Sequence, residues 1–235
     1  MEQKKRRITE DAAASGEARR GVDMICVENV TYSYPQRAEP VISAFSACIR
    51  RGEIVALRGK NGSGKTTLTK LIAGILRPSA GGVSIDGHDT ACMDLFDIGR
   101  RAGYVFQNPN RQLFCETAYD EVAFGLRNLG FGEDEVRRRT GTYLERFGLS
   151  RYSDVYPRKL SLGERQRLAL AAVLALGTGY LILDEPTTGL DAPNRGELGG
   201  LLEQLRDDSN CGILLVSHEA GFTARYADRD LVMPG

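Results

Sequence analysis

Residues Gly59-Lys60-Asn61-Gly62-Ser63-Gly64-Lys65-Thr66 follow the spacing G-x-x-x-x-G-K-[ST]. Glycines at these intervals let a backbone turn so tightly that successive N–H groups point inward at a phosphate. A helix beginning near Lys65 adds the positive end of its dipole. The Lys65 ammonium then reaches the β- and γ-phosphates of a nucleotide. The Thr66 hydroxyl, with Thr67 beside it, stands where a Mg²⁺ ligand is needed. The second acidic group lies at Tyr180-Leu181-Ile182-Leu183-Asp184-Glu185. An apolar strand ending in a carboxylate delivers it to the C-terminal edge of a sheet, where α/β folds keep their ligands. Asp184 is placed to hold Mg²⁺. Glu185, one residue on, is placed to polarise a water attacking the γ-phosphate.

These groups need rigid elements behind them, and the apolar spacing supplies candidates. Strand-like runs occur at Ile25–Val30, Glu53–Arg58, Gly103–Phe106, Tyr180–Leu183, Gly212–Val216 and Asp230–Met233. Leu68, Leu71, Ile72 and Ile75 recur at helical spacing and predict a helix over Lys65–Ile75. Further helices are predicted over Ala118–Leu129, Glu133–Phe147, Leu162–Leu176 and Asn194–Arg206. Short buried strands alternating with helices predict an α/β fold with a mostly parallel sheet covered on both faces. Residues from about 108 to 176 read as helical and strand-free, a separate helical lobe. His218 follows the strand Gly212–Val216, which brings its imidazole to the same sheet edge as Asp184. His88, in Asp86-Gly87-His88-Asp89, reads as a solvated turn residue.

With these motifs in hand the sequence resembles an ABC-type ATPase, a P-loop NTPase that forms the nucleotide-binding subunit of ATP-binding-cassette transporters. The resemblance runs from about Met24 to the C-terminus. It rests on several motifs in the family's order. Leu160-Ser161-Leu162-Gly163-Glu164-Arg165-Gln166-Arg167 looks like the signature motif, Gln107 in Tyr104-Val105-Phe106-Gln107-Asn108-Pro109 like the Q-loop, and Thr187-Thr188-Gly189-Leu190-Asp191 like the D-loop. His218 looks like the switch histidine, and Tyr34 in Tyr32-Ser33-Tyr34-Pro35 occupies the place of an adenine-stacking ring, with Tyr32 as the fallback. The family implies a P-loop core with an N-terminal antiparallel β part and a helical signature subdomain. It implies ATP and Mg²⁺ as cofactors, with Gln107 touching Mg²⁺ or water. It also implies a dimer of two such subunits, alike or unlike, in which Ser161 and Gly163 of one meet the γ-phosphate held by the other. Ser161 also stands where a helix N-cap would. Two positions depart from the usual Leu-Ser-Gly-Gly-Gln signature, Leu162 and Glu164, and a carboxylate at 164 is expected to repel a nearby polyphosphate modestly. The family usually continues past the position of Leu231-Val232-Met233-Pro234-Gly235.

The stretch after Gln107 narrows the resemblance. Val105–Phe114, then Thr117, Asp120-Glu121-Val122-Ala123-Phe124-Gly125-Leu126 and Asn128, look like the ATPases of energy-coupling-factor importers, which take up vitamins or transition-metal ions. A transmembrane subunit would then dock near Gln107–Leu126. The chain would be cytoplasmic and peripheral on the inner face of the cell membrane. Leu113, Phe114, Val122, Phe124 and Leu126 could equally be core. A soluble non-transport ABC ATPase, or a regulatory subunit that hydrolyses weakly, remains an alternative.

Composition sets outer bounds. The 235 residues carry 31 Lys+Arg against 31 Asp+Glu, a net charge of +0, which argues against non-specific nucleic-acid binding. With 42% hydrophobic and 26% charged residues the chain can build an ordinary core. The longest apolar run, Leu168–Leu176, is about half of what a membrane span needs. The basic start MEQKKRR is followed by polar and small residues, unlike a secretory signal. Residues 1–22 read as a disordered basic and polar tail ahead of one ATPase domain at 23–235. Five cysteines are scattered with no C-x-x-C spacing, so free thiols are expected and spacing marks no metal or redox site.

Overall fold

The structure, a computed structural model, describes residues 23–37 and 39–234; the expected tail at 1–22 lies outside them. Five strands, β3 (Ile54–Arg58), β6 (Ala102–Val105), β7 (Tyr180–Asp184), β8 (Gly212–Val216) and β9 (Arg229–Val232), form a parallel sheet in the order β6-β7-β8-β3-β9. Their near-continuous apolar runs have a direct cause: both faces are covered. Ile54, Leu181, Leu183, Ile213 and Leu215 enter one core cluster, while Val55, Leu57, Tyr180, Ile182, Leu214 and Val216 enter the other. The period of two thus survives as a choice between two dry faces rather than between oil and water.

On one face lie α1 (Lys65–Ile72), α2 (Leu95–Arg101) and a second, antiparallel sheet. That sheet holds β1 (Met24–Tyr32), β2 (Ile42–Arg50), β4 (Ala80–Ile85) and β5 (His88–Asp89) in the order β2-β1-β4-β5. Leu68, Leu71 and Ile72 of α1 pack with Ile25, Val27, Ile49 and Ile85 of that sheet. On the other face lie α3 (Ala118–Asn128), α4 (Glu133–Arg146), α5 (Leu162–Leu174), α6 (Ala192–Ser209) and α7 (Ala220–Tyr226). The described residues from Pro109 to Leu174 hold only helices and 3₁₀ turns, as the apolar pattern predicts. The two sheets are also joined by polar groups. Asp86 accepts from the Arg51 guanidinium at 3.0 Å and from the Tyr180 hydroxyl at 2.6 Å, and Arg51 lies over the Tyr180 ring.

Several boundaries differ from the sequence expectation for identifiable reasons. Helix α1 stops at Ile72 because Gly74 takes a left-handed conformation (φ 70°), which ends a helix, so Ile75 swings out and is 46% exposed. Helix α6 starts earlier than expected, at Ala192, because the Asp191 carboxylate caps it by accepting from Asn194 N at 2.9 Å. It runs on to Ser209, where Asn210 turns left-handed. Strand β2 carries no simple alternation: its buried residues are Ile42, Phe45 and Ile49, a helix-like spacing. An irregular register against β1, with Ala44 at φ 48°, inserts the extra residue. Strand β4 opens on Ala80-Gly81-Gly82, which reads as a turn. His88 is exposed, as expected, although it sits in the short strand β5 rather than the turn itself.

Candidate nucleotide-binding site

The phosphate loop is built by β3 and α1. Residues 59–64 link them, and Gly64, at φ 93°, is the residue before the helix. Only glycine fits there, since a Cβ would meet Val41 and Ile42 at 3.1–3.2 Å and the backbone angle is itself left-handed. Lys65 is 7% exposed, and its ammonium donates to the carbonyls of Gly59 at 2.9 Å and Lys60 at 3.0 Å. It is thus parked across the loop that a phosphate would enter. The Ser63 hydroxyl is buried without a hydrogen-bond partner.

Strands β7 and β8 bring the acidic groups to the same edge. The Thr66 hydroxyl donates to Asp184 Oδ1 at 3.4 Å, and the Tyr104 hydroxyl donates to Asp184 Oδ2 at 3.1 Å while lying 3.3 Å from the Thr69 hydroxyl. Thr66 and Asp184 therefore present oxygen donors side by side, the donor set that a hard cation such as Mg²⁺ takes. Glu185 adopts φ 52°, a sparsely populated region for a residue with a side chain, held by Glu185 N donating to the Val216 carbonyl at 2.9 Å. Its Oε2 accepts from His218 N at 3.2 Å. Its Oε1 lies 3.1 Å from His218 Nε2 but without hydrogen-bond alignment, so it is a buried acceptor left open. Burial raises the Glu185 carboxyl above its ordinary range, against the pull of His218.

A cleft of about 730 Å³ gathers Tyr34, Asn61, Gly62, Gly64, Lys65, Thr66, Thr67, Gln107, Glu185 and His218. An adjoining one of about 610 Å³ is lined by Thr66, Gln107, Asp184, Tyr104 and Leu162. Gly59, Lys60 and Ser63 shape the loop behind. Tyr34 reaches the cleft with its hydroxyl 3.2 Å from Thr67 Oγ1, whereas the fallback Tyr32 is buried and packs edge-on against the Tyr34 ring. Ser161 and Gly163 line neither cleft. Ser161 caps α5: its hydroxyl accepts from Glu164 N at 3.3 Å, and the Glu164 carboxylate accepts from Ser161 N at 2.8 Å. The expected repulsion at position 164 is thereby altered, since the carboxylate is turned back onto the helix start. Helix α5 approaches the start of α6 closely at Gly163, where a Cβ would meet Asn194 Oδ1 at 2.3 Å and force that side chain to shift.

Sequence reasoning gave no role to Tyr104, Arg37 or Glu219, the last paired with Arg195 at 2.7 Å on the rim of the cleft. Only the position of Tyr104 beside Gln107 hinted at the site. Of the five apolar residues after Gln107 that could be core, Leu113, Val122 and Leu126 are buried. Phe114 and Phe124 are 65% and 45% exposed, and their rings meet edge-to-face at 4.9 Å. The buried Glu121 carboxylate accepts from the backbone N–H groups of Phe114 and Cys115, fixing that loop.

A phosphate loop on β3, a carboxylate pair ending β7 and a histidine after β8 define an ABC-type ATPase. The ABC transporter family model matches residues 42–188, more than half of the chain. The chain belongs to this family and is an ATP-hydrolysing transporter subunit. It is 44% identical, over 89% of its length and 80% of the other's, to a Pyrococcus furiosus protein whose name assigns it to the ABC transporter ATP-binding proteins. It is 42% identical to the energy-coupling factor transporter ATP-binding protein EcfA of Methanothermobacter thermautotrophicus, over 89% of this chain and 68% of that one. It spans only 37% of some longer relatives. Among solved structures it is similar to cbiO1 of Clostridium perfringens, described as part of the transporter complex cbiONQ, with a TM-score of 0.81 and 34% identity over 89% of this chain and 84% of the other. It is also similar to the cassette MJ0796, described as a dimer in a post-hydrolysis state with ADP and Pi, with a TM-score of 0.78 and 28% identity over 89% and 94%. No helix among the described residues is long and apolar enough to cross a membrane.

Proposed function

We propose that this chain is the ATP-hydrolysing subunit of an energy-coupling-factor type importer of a vitamin or transition-metal ion, working as one half of a two-cassette unit on the inner face of the cell membrane. The observation that carries the catalytic part is the convergence of Lys65, Thr66, Asp184, Glu185 and His218 on two adjoining clefts that share Thr66 and Gln107. Tyr34 would stack on adenine. The loop amides from Gly59 to Thr67 would cradle the phosphates, and Lys65 would leave the Gly59 and Lys60 carbonyls for the β- and γ-phosphates. Thr66, Asp184 and Gln107 fit a Mg²⁺ ion, which when bound neutralises charge on the β- and γ-oxygens. Glu185, with its open Oε1, accepts the proton of the attacking water, and His218 orients it. Ser161 and Gly163, which line neither cleft, serve the nucleotide of the second cassette.

The importer type is supported by the likeness to EcfA and cbiO1 and by the exposed Phe114–Phe124 pair. An exposed apolar pair in the stretch that follows Gln107 in sequence suits a short cytoplasmic helix of a transmembrane subunit. Domain limits at 23–235, with a helical lobe near 108–176, follow from the same reading. Glu185→Gln tests the catalytic part. Turnover should fall about 100-fold or more while ATP binding persists, and an ATP-dependent dimer should accumulate in size-exclusion chromatography. Hydrolysis at the parental rate would remove Glu185 from its role. Detergent co-purification of a membrane subunit tests the transport part.

A further inference from the structure

Cys26 and Cys48 are separated by a hairpin in sequence, yet they are direct partners in the β1–β2 ladder, with Sγ atoms 3.3 Å apart. Directly opposed residues of antiparallel strands have Cα atoms about 4.5–5.5 Å apart, inside the range of about 4.4–6.8 Å that a disulfide spans. The backbone is therefore already placed for a bond. Both thiols face away from the core, since their ladder neighbours Ile25, Val27 and Ile49 fill the inner face. Cys26 is 8% exposed at the edge of a groove of about 200 Å³ that it shares with Glu28, Ser84 and Asp89, and Cys48 is half-buried beside it. Among the described residues no other cysteine has such a partner: Cys92 is exposed alone, and Cys115 and Cys211 lie elsewhere.

We propose that Cys26 and Cys48 form a reversible dithiol–disulfide site on the outer face of the antiparallel sheet, oxidised by small-molecule disulfides of the glutathione type. The Cys48 thiolate attacks one sulfur of the small disulfide and releases one small thiolate, giving a mixed disulfide on Cys48. Cys26 then loses its proton to solvent or to the leaving group and attacks Cys48 Sγ, releasing the second small thiolate. Two protein thiols become one protein disulfide, two electrons pass to the small disulfide, and the two protons end on the two small thiols. The groups facing the pair set this order. The Cys26 thiol hydrogen-bonds to Cys48 and, with Arg50 and Arg229 nearby, holds the Cys48 thiol down to about 7, whereas burial and Glu28 oppose ionisation. Cys26 is pushed well up by the same contact with Cys48 and by burial. One sulfur is thus poised to attack and the other to resolve. The bond would tie together β1 and β2, whose other ends carry Tyr34 and Val41 at the cleft.

The test uses the full chain equilibrated in buffers of rising glutathione disulfide fraction, quenched with an alkylating agent and mapped by mass spectrometry. The expected result is a cross-linked peptide joining Cys26 to Cys48, about tenfold more abundant than any other pairing and erased by dithiothreitol. In Cys26→Ser, Cys48 should stop at the glutathione mixed disulfide. Phenylarsine oxide, which needs two adjacent thiols, should bind the parental chain stoichiometrically and either serine variant at least about tenfold more weakly. If both cysteines remain alkylatable at the oxidised end, or the arsenical binds the parental and variant chains alike, the proposal fails.

Discussion

Asp184 accepts hydroxyls from Thr66 and Tyr104, while Glu185, one residue further, is held at φ 52° with a carboxyl raised by burial. A general base must be ionised to work, so hydrolysis should fall on the acid side through an apparent pKa above the ordinary carboxylate range. The same shift bears on stability. A carboxyl raised on folding contributes stability below its unfolded pKa and loses it as pH rises through the folded one. Glu185→Gln, which cannot ionise, should therefore melt no lower than the parental chain at pH 7. Any gain should disappear at acid pH, and thermal melts at the two pH values check this. Tyr104 is the residue that spacing could not find, because its partner Asp184 is 80 positions away. In the sequence it reads only as a strand former. Tyr104→Phe removes one donor behind the metal-facing carboxylate, so the Mg²⁺ concentration for half-maximal ATPase should rise about tenfold. An unchanged Mg²⁺ titration would assign Tyr104 to packing alone.

The parallel strands and helices α1, α3, α4, α5 and α6 were legible because each carries an apolar pattern, and their ends shift by a few residues where a glycine or a cap decides. Helices α2 and α7, 7 residues each, are too short to show one. Strand β2 was not legible, since the irregularity near Ala44 turns a period of two into a spacing that mimics a helix. The start of α5 shows how a site motif can also be a structural one. Ser161 and Glu164 hydrogen-bond reciprocally, and the departure from Gln at position 164 keeps the box intact. Ser161→Ala should lower stability by about 1 kcal/mol, or roughly 2–4 °C in Tm, and also weaken ATP-dependent pairing of cassettes. Glu164→Gln should leave Tm within about 1 °C, because an amide can fill the same place in the capping box. If Glu164→Gln melts as low as Ser161→Ala, the charge rather than the hydrogen bond stabilises this helix start. Calorimetry of both variants distinguishes the two.

Across the whole molecule the chemistry is divided between the sheet edge and the helical segment. The cleft residues gather where β3, β7 and β8 end, whereas the helices of residues 109–174 carry Ser161 and Gly163 outside that cleft and leave Phe114 and Phe124 in solvent. Folding alone does not explain the phenylalanines. Each leaves large apolar area wet, Phe124 from helix α3 and Phe114 from the loop before it, and the buried Glu121 carboxylate is used to hold the Phe114 loop in place. Burying such a carboxyl is unfavourable, as its raised pKa indicates, so the loop's shape is maintained against a local penalty. That arrangement suits a surface awaiting a partner. Phe114→Ser combined with Phe124→Ser touches no core residue, so Tm should stay within about 2 °C of the parental value. Co-purification with the transmembrane subunit should fall at least about tenfold, because an aromatic anchor removed from an apolar interface typically costs about 2 kcal/mol or more. Full retention of the membrane subunit by the double variant would move the docking surface elsewhere, with Phe106, also exposed and next to Gln107, the first residue to examine.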